Sequence, residues 1–501
     1  MADHISPGVY IEEKNTFPNS VEVVETAIPA FIGYTFKAER DGKSLLRIPT
    51  RINSFEEYVD FFGEAFRPKF KIEAAPSPLP IRSFKLGLKD MIVNYEKNNE
   101  LYFYNSIRLF YANGGGLCVV LSIGVYGEGT EQQVKASDFM ATDDHPIGPL
   151  EILKNDPTPT LIVIPDIAAL RAGAYPLYPN ILSHCAEMEN RFAIFDLKYH
   201  DETEKSDAVA EEFRTAIGTD FLSYGAVYYP WLNTVIVEPD ELTFENLPAN
   251  LPTLLEPEVQ EPFTNYNSKL TAVETEADKL NDLKAKHHLA LKSSSPYYCT
   301  ILDQARNLFN TLPPSAAIAG IYTMVDHIRG VWKSPANYAL NKVNSPIINI
   351  SDAEQDQFNI DVSGKSINVI RSFHNRGTLV WGARTMDGNN QDWKYICVRR
   401  TLIMIEQSIK TATKAYVFEP NDANTWTAIR GMISNFLINL WRQGALVGAV
   451  PQQAFDVQIG LGSTMTSTDI LEDRMIIMIE VAMIRPAEFI IIRFQQQQQQ
   501  P

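Results

Sequence analysis

Three short apolar runs, LIVIPD (161 to 166), RFAIFDL (191 to 197) and SYGAVYYPWL (223 to 232), are separated by two stretches of helical character, YPNILSHCAEMEN (178 to 190) and SDAVAEEFRTAI (206 to 217). Strand alternating with helix argues for an α/β layer with a mostly parallel sheet, because parallel neighbours need a crossover and a helix is the usual one. Just before it, LYFYNSIRLFYANGGGLCVVLSIG (101 to 124) reads as a helix stopped by Asn113 and three glycines, followed by a buried strand. The chain opens differently. Residues 6 to 13 alternate as a short edge strand, 17 to 25 read as a turn and a strand, and AIPAFIGYT (27 to 35) as a further strand, together a separate β-rich region. SFEEYVDFFG (54 to 63) is a helix with Asn53 or Ser54 at its start and Gly63 at its end.

A chain of 501 residues with 45% apolar and 21% charged residues is expected to build two or three cores without staples. Its formal charge of −17 disfavours direct contact with nucleic acid or an anionic membrane. Residues 371 to 494 carry net +2, so the acid excess lies elsewhere, as expected if the C-terminal region packs inward. Cys118, Cys185, Cys299 and Cys397 are far apart in apolar surroundings and read as buried thiols. No secretory leader and no apolar run long enough to span a bilayer is visible, so synthesis in the cytoplasm is expected, with any exit inside a larger particle.

Residues 238 to 294 are Pro- and Glu-rich and then polar and helix-forming, an insertion read as an exposed helical hairpin. CVRRTLIMIEQSIKTATKAYVFEP (397 to 420) reads as a helix buried on more than one side, then a strand. In TWTAIRGMISNFLINLWRQGAL (425 to 446) the residues Trp426, Ile429, Ile433, Phe436, Leu437, Leu440 and Trp441 recur at helical spacing and form one buried face. PAEFIIIRF (486 to 494) reads as a terminal strand too apolar to remain unpaired, ahead of a Gln tail (495 to 501) expected to be disordered.

Candidate chemistry is sparse. Asp166 and Asp196 follow apolar strands, where catalytic carboxylates sit in open parallel sheets, but strand-end Asp residues more commonly cap a helix. The glycines at 114 to 116 lack a following GK[ST], which makes them a helix cap and not a phosphate loop. His287 and His288 are adjacent on a polar helix, point in different directions and read as solvated. Neither a cofactor nor a metal site is indicated, and no enzyme is expected.

The opening SPGVYIEE (6 to 13) is followed, in order, by PPSAAIAGIY (313 to 322), RGVWKSPAN (329 to 337), GTLVWGART (377 to 385), WKYICVRR (393 to 400), VFEPND (417 to 422), LWRQGALVGA (440 to 449), STMTSTDI (463 to 470) and RPAEFIIIRF (485 to 494). This ordered set resembles the sheath protein of contractile phage tails and phage-tail-like injection systems, most strongly over 1 to 36 and 310 to 494. The resemblance implies an α/β (α+β overall), multi-domain protein. Its inner domain would be built from both chain ends (1 to 36 and 313 to 494), with outer domains over 37 to 312 and arms at each terminus. It implies a subunit that stacks with copies of itself as hexameric rings around an inner tube protein, meets baseplate and terminal cap proteins and possible paralogous sheath subunits, and contracts to drive the tube into a target cell.

On the bare residues, pairing of both terminal strands within their own domain is the preferred reading. The resemblance instead assigns Ile5, Val9, Tyr10, Ile11 and Glu12, and Glu488, Phe489, Ile490, Ile491, Ile492, Arg493 and Phe494, to strands that complete a neighbour's sheet. By analogy the helix with Trp426, Arg430, Asn435 and Arg442, or the loops beside it, would lie near the tube. The rivals are the sheath of a phage with a DNA-filled head, a polymer that does not contract, and an α/β enzyme using Asp166 and Asp196.

Overall fold

The computed structural model describes residues 20–96, 99–128, 132–199, 206–272, 277–359 and 361–489. They fall into two compact units, one within residues 1–25 and 401–501, the other Thr26–Arg400.

In the larger unit every residue of the strand Pro29–Thr35 is buried, and its side chains alternate between two cores. Phe31 joins one core with Val120, Val163, Ile194 and Tyr228, while Ala30 and Ile32 join the other with Val119, Ile162, Ala193 and Val227. A period of two with both faces apolar makes near-continuous hydrophobic strands, the mark of a sheet covered on both sides. That sheet has eight strands in the order 377–380, 368–373, 225–229, 192–196, 161–163, 29–35, 118–125, 50–52. Its interior pairs are parallel, and only the two edge pairs are antiparallel. Helices Phe103–Ala112 and Ser315–Arg329 cover the first face, and Tyr178–Met188 and Ser206–Ala216 the second.

The expected α/β layer is therefore present, but the separate N-terminal β region is not. Strand Pro29–Thr35 sits inside the same sheet, between 161–163 and 118–125. Its two apolar faces need the cover that only a central position offers. For the same reason the units divide at 25/26 and 400/401, not at 36/37 and 312/313: residues 313–400 supply a covering helix and two strands to the sheet that the N-terminal strand joins. The edge strand expected at 6 to 13 lies outside the described residues. Residues 20 to 25 carry no strand, and Val23 is exposed.

Local signals held well at helix ends. Ser54 accepts from the Glu57 amide at 3.2 Å to open Phe55–Phe62, and Gly63, at φ +82°, closes it. Helices 103–112 and 315–329 approach so closely that a Cβ at Gly320 would lie 2.6 Å from the Phe110 carbonyl oxygen. Gly320→Ala is expected to cost roughly 1–3 kcal/mol by overpacking, read as a fall in the urea midpoint at unchanged slope.

Residues 257 to 294 do form two helices, Pro257–Ala272 and Ala277–Ser294. In the smaller unit, helix Ala423–Arg442 buries Ile429, Met432, Ile433, Phe436, Leu437 and Leu440. Its N-cap is Asp422, whose Oδ1 accepts from the Thr425 amide at 2.9 Å. The strand expected to end at 420 is absent: helix Ile396–Thr413 gives way to a single tight turn, Lys414–Tyr416, then a loop in which Phe418 adopts φ +75°. Pro420 cannot donate to a ladder, and the positive φ breaks extended backbone.

Candidate interaction surfaces

Strands Phe455–Ile459 and Ile477–Val481 form a two-stranded antiparallel sheet, with Phe455 opposite Val481 and Ile459 opposite Ile477. Alternation buries Val457 and Ile459 on the side of helix 423–442 and exposes Asp456, Gln458, Met478 and Glu480 on the other. Among the described residues no third strand joins either edge. Two strands alone are marginal in water, and their outer edges present unpaired main-chain groups. The hairpin is thus a ready acceptor for one further strand on each side.

Of the C-terminal residues singled out in the sequence, Glu488 is half-buried and Phe489 is 68% exposed, and residues 486–489 form no strand within the subunit. Ile490, Ile491, Ile492, Arg493 and Phe494, and the N-terminal set Ile5, Val9, Tyr10, Ile11 and Glu12, lie outside the described residues.

The four residues chosen on helix 423–442 do not share one face. At about 100° per residue, Trp426 and Arg430 fall on one side, and Asn435 and Arg442 nearly opposite. Trp426 is half-buried and its Nε1 donates to Asn421 Oδ1 at 2.7 Å, while Arg430 donates to the Ile459 carbonyl. Asn435 and Arg442 are exposed, in line with Asn424, Ala428, Gly431 and Asn439. Periodicity marked the buried stripe correctly, but the polar residues off that stripe divide between those tied back to their own unit and those left free.

In the larger unit the two strand-end carboxylates are occupied with backbone. Asp166 is fully buried; its Oδ1 accepts from the Tyr102 and Phe103 amides at 2.8 and 2.9 Å and its Oδ2 from the Tyr34 amide at 2.9 Å. It caps helix 103–112 from a distance. Burial pushes its carboxyl up to about 6, against the pull of those three amides. Asp196 accepts from the Ser315 amide at 2.7 Å at the start of helix 315–329, and burial pushes it up to about 7.

His287 and His288 do point in different directions, but they are not solvated. His287 is 3% exposed and stacks on Tyr266 at 3.9 Å between ring centroids, with Phe244 and Phe263 around it. His288 Nδ1 meets the Tyr298 hydroxyl at 2.8 Å. The thin apolar stripe of this helix needed wider cover, and imidazole supplies it. Among the described residues no three His, Cys, Asp or Glu side chains gather as a metal site. A pocket of about 580 Å³ beside Arg171 and Trp231 is rimmed by cations that are already paired: Arg171 with Glu100 at 2.8 Å, Lys71 with Glu73 at 2.7 Å and Lys198 with Glu212 at 2.6 Å. No described helix is long and apolar enough to cross a membrane.

Residues 388–497 match the phage tail sheath C-terminal domain. The tail sheath protein of Salmonella phage ViI is 27% identical over 185 residues, 36% of this chain and 28% of that protein. The tail sheath protein of Burkholderia phage BcepMu is 27% identical over 158 residues, 30% of this chain and 32% of the relative. The chain therefore aligns with less than a third of the length of either. Among solved structures, the sheath complex of the extracellular contractile injection system PVC in its contracted state is 29% identical, with 99% of each chain covered and a TM-score of 0.60. The contracted helical sheath of the anti-feeding prophage is 27% identical, with 98% of this chain and 99% of that one covered and a TM-score of 0.59. The chain is thus similar to a sheath C-terminal domain over residues 388–497, and its mixed α/β fold follows those two sheath subunits over nearly its whole length.

Proposed function

We propose that this chain is the structural subunit of the contractile sheath of a phage-tail-like injection particle. It polymerises with copies of itself as hexameric rings around an inner tube and shortens to drive that tube into a target cell. The observation that carries this reading is the likeness over 99% of the chain to a sheath subunit of an extracellular contractile injection system. The open hairpin 455–459/477–481 supports it in physical terms. Segments 5–13 and 488–494 of neighbouring copies supply the strands that the two free edges lack. Each added main-chain bond is worth only about 1 kcal/mol net, but a mesh of them joins every subunit to several others. Head-to-tail donation does not close on a pair, so it generates rings and helices.

Asn435, Arg442 and their exposed neighbours on helix 423–442 are available to the tube. Baseplate and cap proteins hold the ends of the assembly, and paralogous subunits are compatible with the same strand exchange. The role is mechanical: Asp166 and Asp196 are spent on capping helices. The tail sheath proteins of headed phages are also similar to parts of this chain, which keeps a headed-phage sheath as the second reading; micrographs of the particle, with or without a head, separate the two.

Deleting residues 1–13 is expected to leave a folded, monomeric subunit that forms no sheath in negative-stain micrographs, and deleting 490–494 is expected to do the same. Tubes like those of the full chain from either deletion would remove strand exchange from the mechanism.

A further inference from the structure

The parallel sheet of the larger unit has a point where its order of connection reverses. From strand 29–35 the next parallel strand, 118–125, lies on one side, and the one after it, 161–163, lies on the other. In open α/β sheets ligands bind outside the carboxyl ends of the strands at such a point, where the loops part and leave a crevice. The pocket of about 580 Å³ lies on that edge: Arg171 comes after strand 161–163, Lys198 and Tyr199 after 192–196, and Trp231 after 225–229. Lys71 and Arg82 complete its wall. A volume of this size suits a small organic ligand.

The charges of the pocket do not balance. Four cations, Lys71, Arg82, Arg171 and Lys198, line it, and among the described residues Glu100 is the one carboxylate that does. This excess stands out in a chain of net charge −17. Glu100 is already neutralised: its oxygens accept from Arg171 Nη2 at 2.9 and 2.8 Å, and Oε2 also accepts from the Tyr102 hydroxyl at 2.5 Å. Lys71 and Lys198 pair with Glu73 and Glu212, but neither acid lines the pocket, and an ammonium has three donors to share. Arg82 Nη2 donates to Asn94 Oδ1 at 3.0 Å.

Arg171 is held in place at a backbone cost. It adopts φ +56° and ψ −129°, a conformation unfavourable for any residue but glycine, and strain of this kind gathers at binding sites. Glu100 fixes its guanidinium, which lies 5.0 and 5.9 Å from the rings of Tyr199 and Trp231. Its Nη1 is buried with no partner among the described residues, and a buried donor left unmet is costly.

We propose that this pocket binds a small, multiply charged oxyanion, a polyphosphate or a polycarboxylate, held by Arg171 and Arg82 with Lys71 and Lys198 beside them. Guanidinium forks match the paired oxygens of phosphate and carboxylate, and the ammonium groups add attraction without fixing orientation. Occupancy stabilises the larger unit by mass action. The site lies wholly within that unit and stands apart from the sheath reading, because binding needs no assembly.

Calorimetric titration of the full chain with tripolyphosphate, and separately with citrate, at matched ionic strength provides the test. Saturable binding at one site per chain is expected for at least one of them, and the tighter of the two assigns the phosphate or the carboxylate class. Lys71→Gln and Arg82→Gln, at exposed and half-buried positions, should each weaken binding about tenfold at an unchanged melting temperature. Arg171→Gln should abolish it. Lys286→Gln removes an exposed cation of the helical hairpin that does not line the pocket, and it should leave binding unchanged. The proposal is overturned if neither anion binds saturably, or if Lys286→Gln weakens binding as much as the pocket variants do. Binding that survives both Lys71→Gln and Arg82→Gln overturns it as well, since that result means an adventitious ion only.

Discussion

Asp166→Ala will cost the subunit about 3–5 kcal/mol, because it strands three buried amides at once and each unsatisfied donor carries roughly 1–3 kcal/mol. The loss is smaller than three full penalties, since the carboxyl it removes is itself strained by burial, pushed up to about 6. Asp166→Asn is expected to rescue little. Both oxygens of Asp166 accept, Oδ1 from two amides and Oδ2 from a third, so a carboxamide must turn its NH2 group toward one of the donors. There is no room to move away: a Cβ on Gly33 would already lie 2.7 Å from Asp166 Oδ2. Asp196 provides the contrast, because only one oxygen bonds a backbone amide, that of Ser315. Asp196→Asn keeps that bond and sheds a carboxyl pushed up to about 7, so it should change stability by no more than about 1 kcal/mol. Urea unfolding of the arm-deleted monomer measures both, and equal losses for the two Asn variants would contradict the capping geometry.

Acidification from pH 7 to 4 is expected to loosen the helical hairpin 257–294 while the central sheet holds. Burial, with His288 beside it, holds His287 down to about 4, against about 6.5 in an unfolded chain. The folded imidazole thus stays neutral while the unfolded one takes up a proton, and stability falls with pH between 6.5 and 4, by roughly 3 kcal/mol at the lower end. Burial, with Lys292 nearby, lowers His288 too, while Asp240 opposes the shift. Asp166 and Asp196 run the other way. Their folded pKa values are raised, so their contribution is lost as pH rises toward 6 and 7 and regained on acidification. Region-resolved hydrogen exchange should therefore show faster exchange in 277–294 at pH 4.5 than at 7, with 103–112 and 315–329 unchanged or slower. His287→Phe, which keeps the stack against Tyr266, should remove most of the pH dependence in the hairpin and leave the part that His288 contributes.

These contrasts mark where sequence reading stopped. The capped helix at 55–62, the Gly-terminated helix before the strand at 118 and the amphipathic helix 423–442 were legible, because each is fixed by residues within a few positions of itself. The status of His287 was not: a polar helix gives no sign that Phe244 and Phe263, from another turn and another helix, close over one of its residues. Arg430 and Asn435 read alike as polar residues off the apolar stripe, yet one reaches the Ile459 carbonyl and the other meets solvent.

The sequence by itself determined the layer type, the helix ends and the resemblance to sheath proteins, since periodicity, caps and an ordered series of motifs are local and survive without contacts. Only the tertiary structure decided that the strand at 29–35 sits within the central sheet and that, among the described residues, no third strand joins the pair 455–459/477–481. It alone gathered Lys71, Arg82, Arg171 and Lys198 around one pocket. Those outcomes depend on pairings across hundreds of residues, where the free energy comes from burying both faces of a strand and satisfying every buried donor, and no short stretch of sequence carries that information.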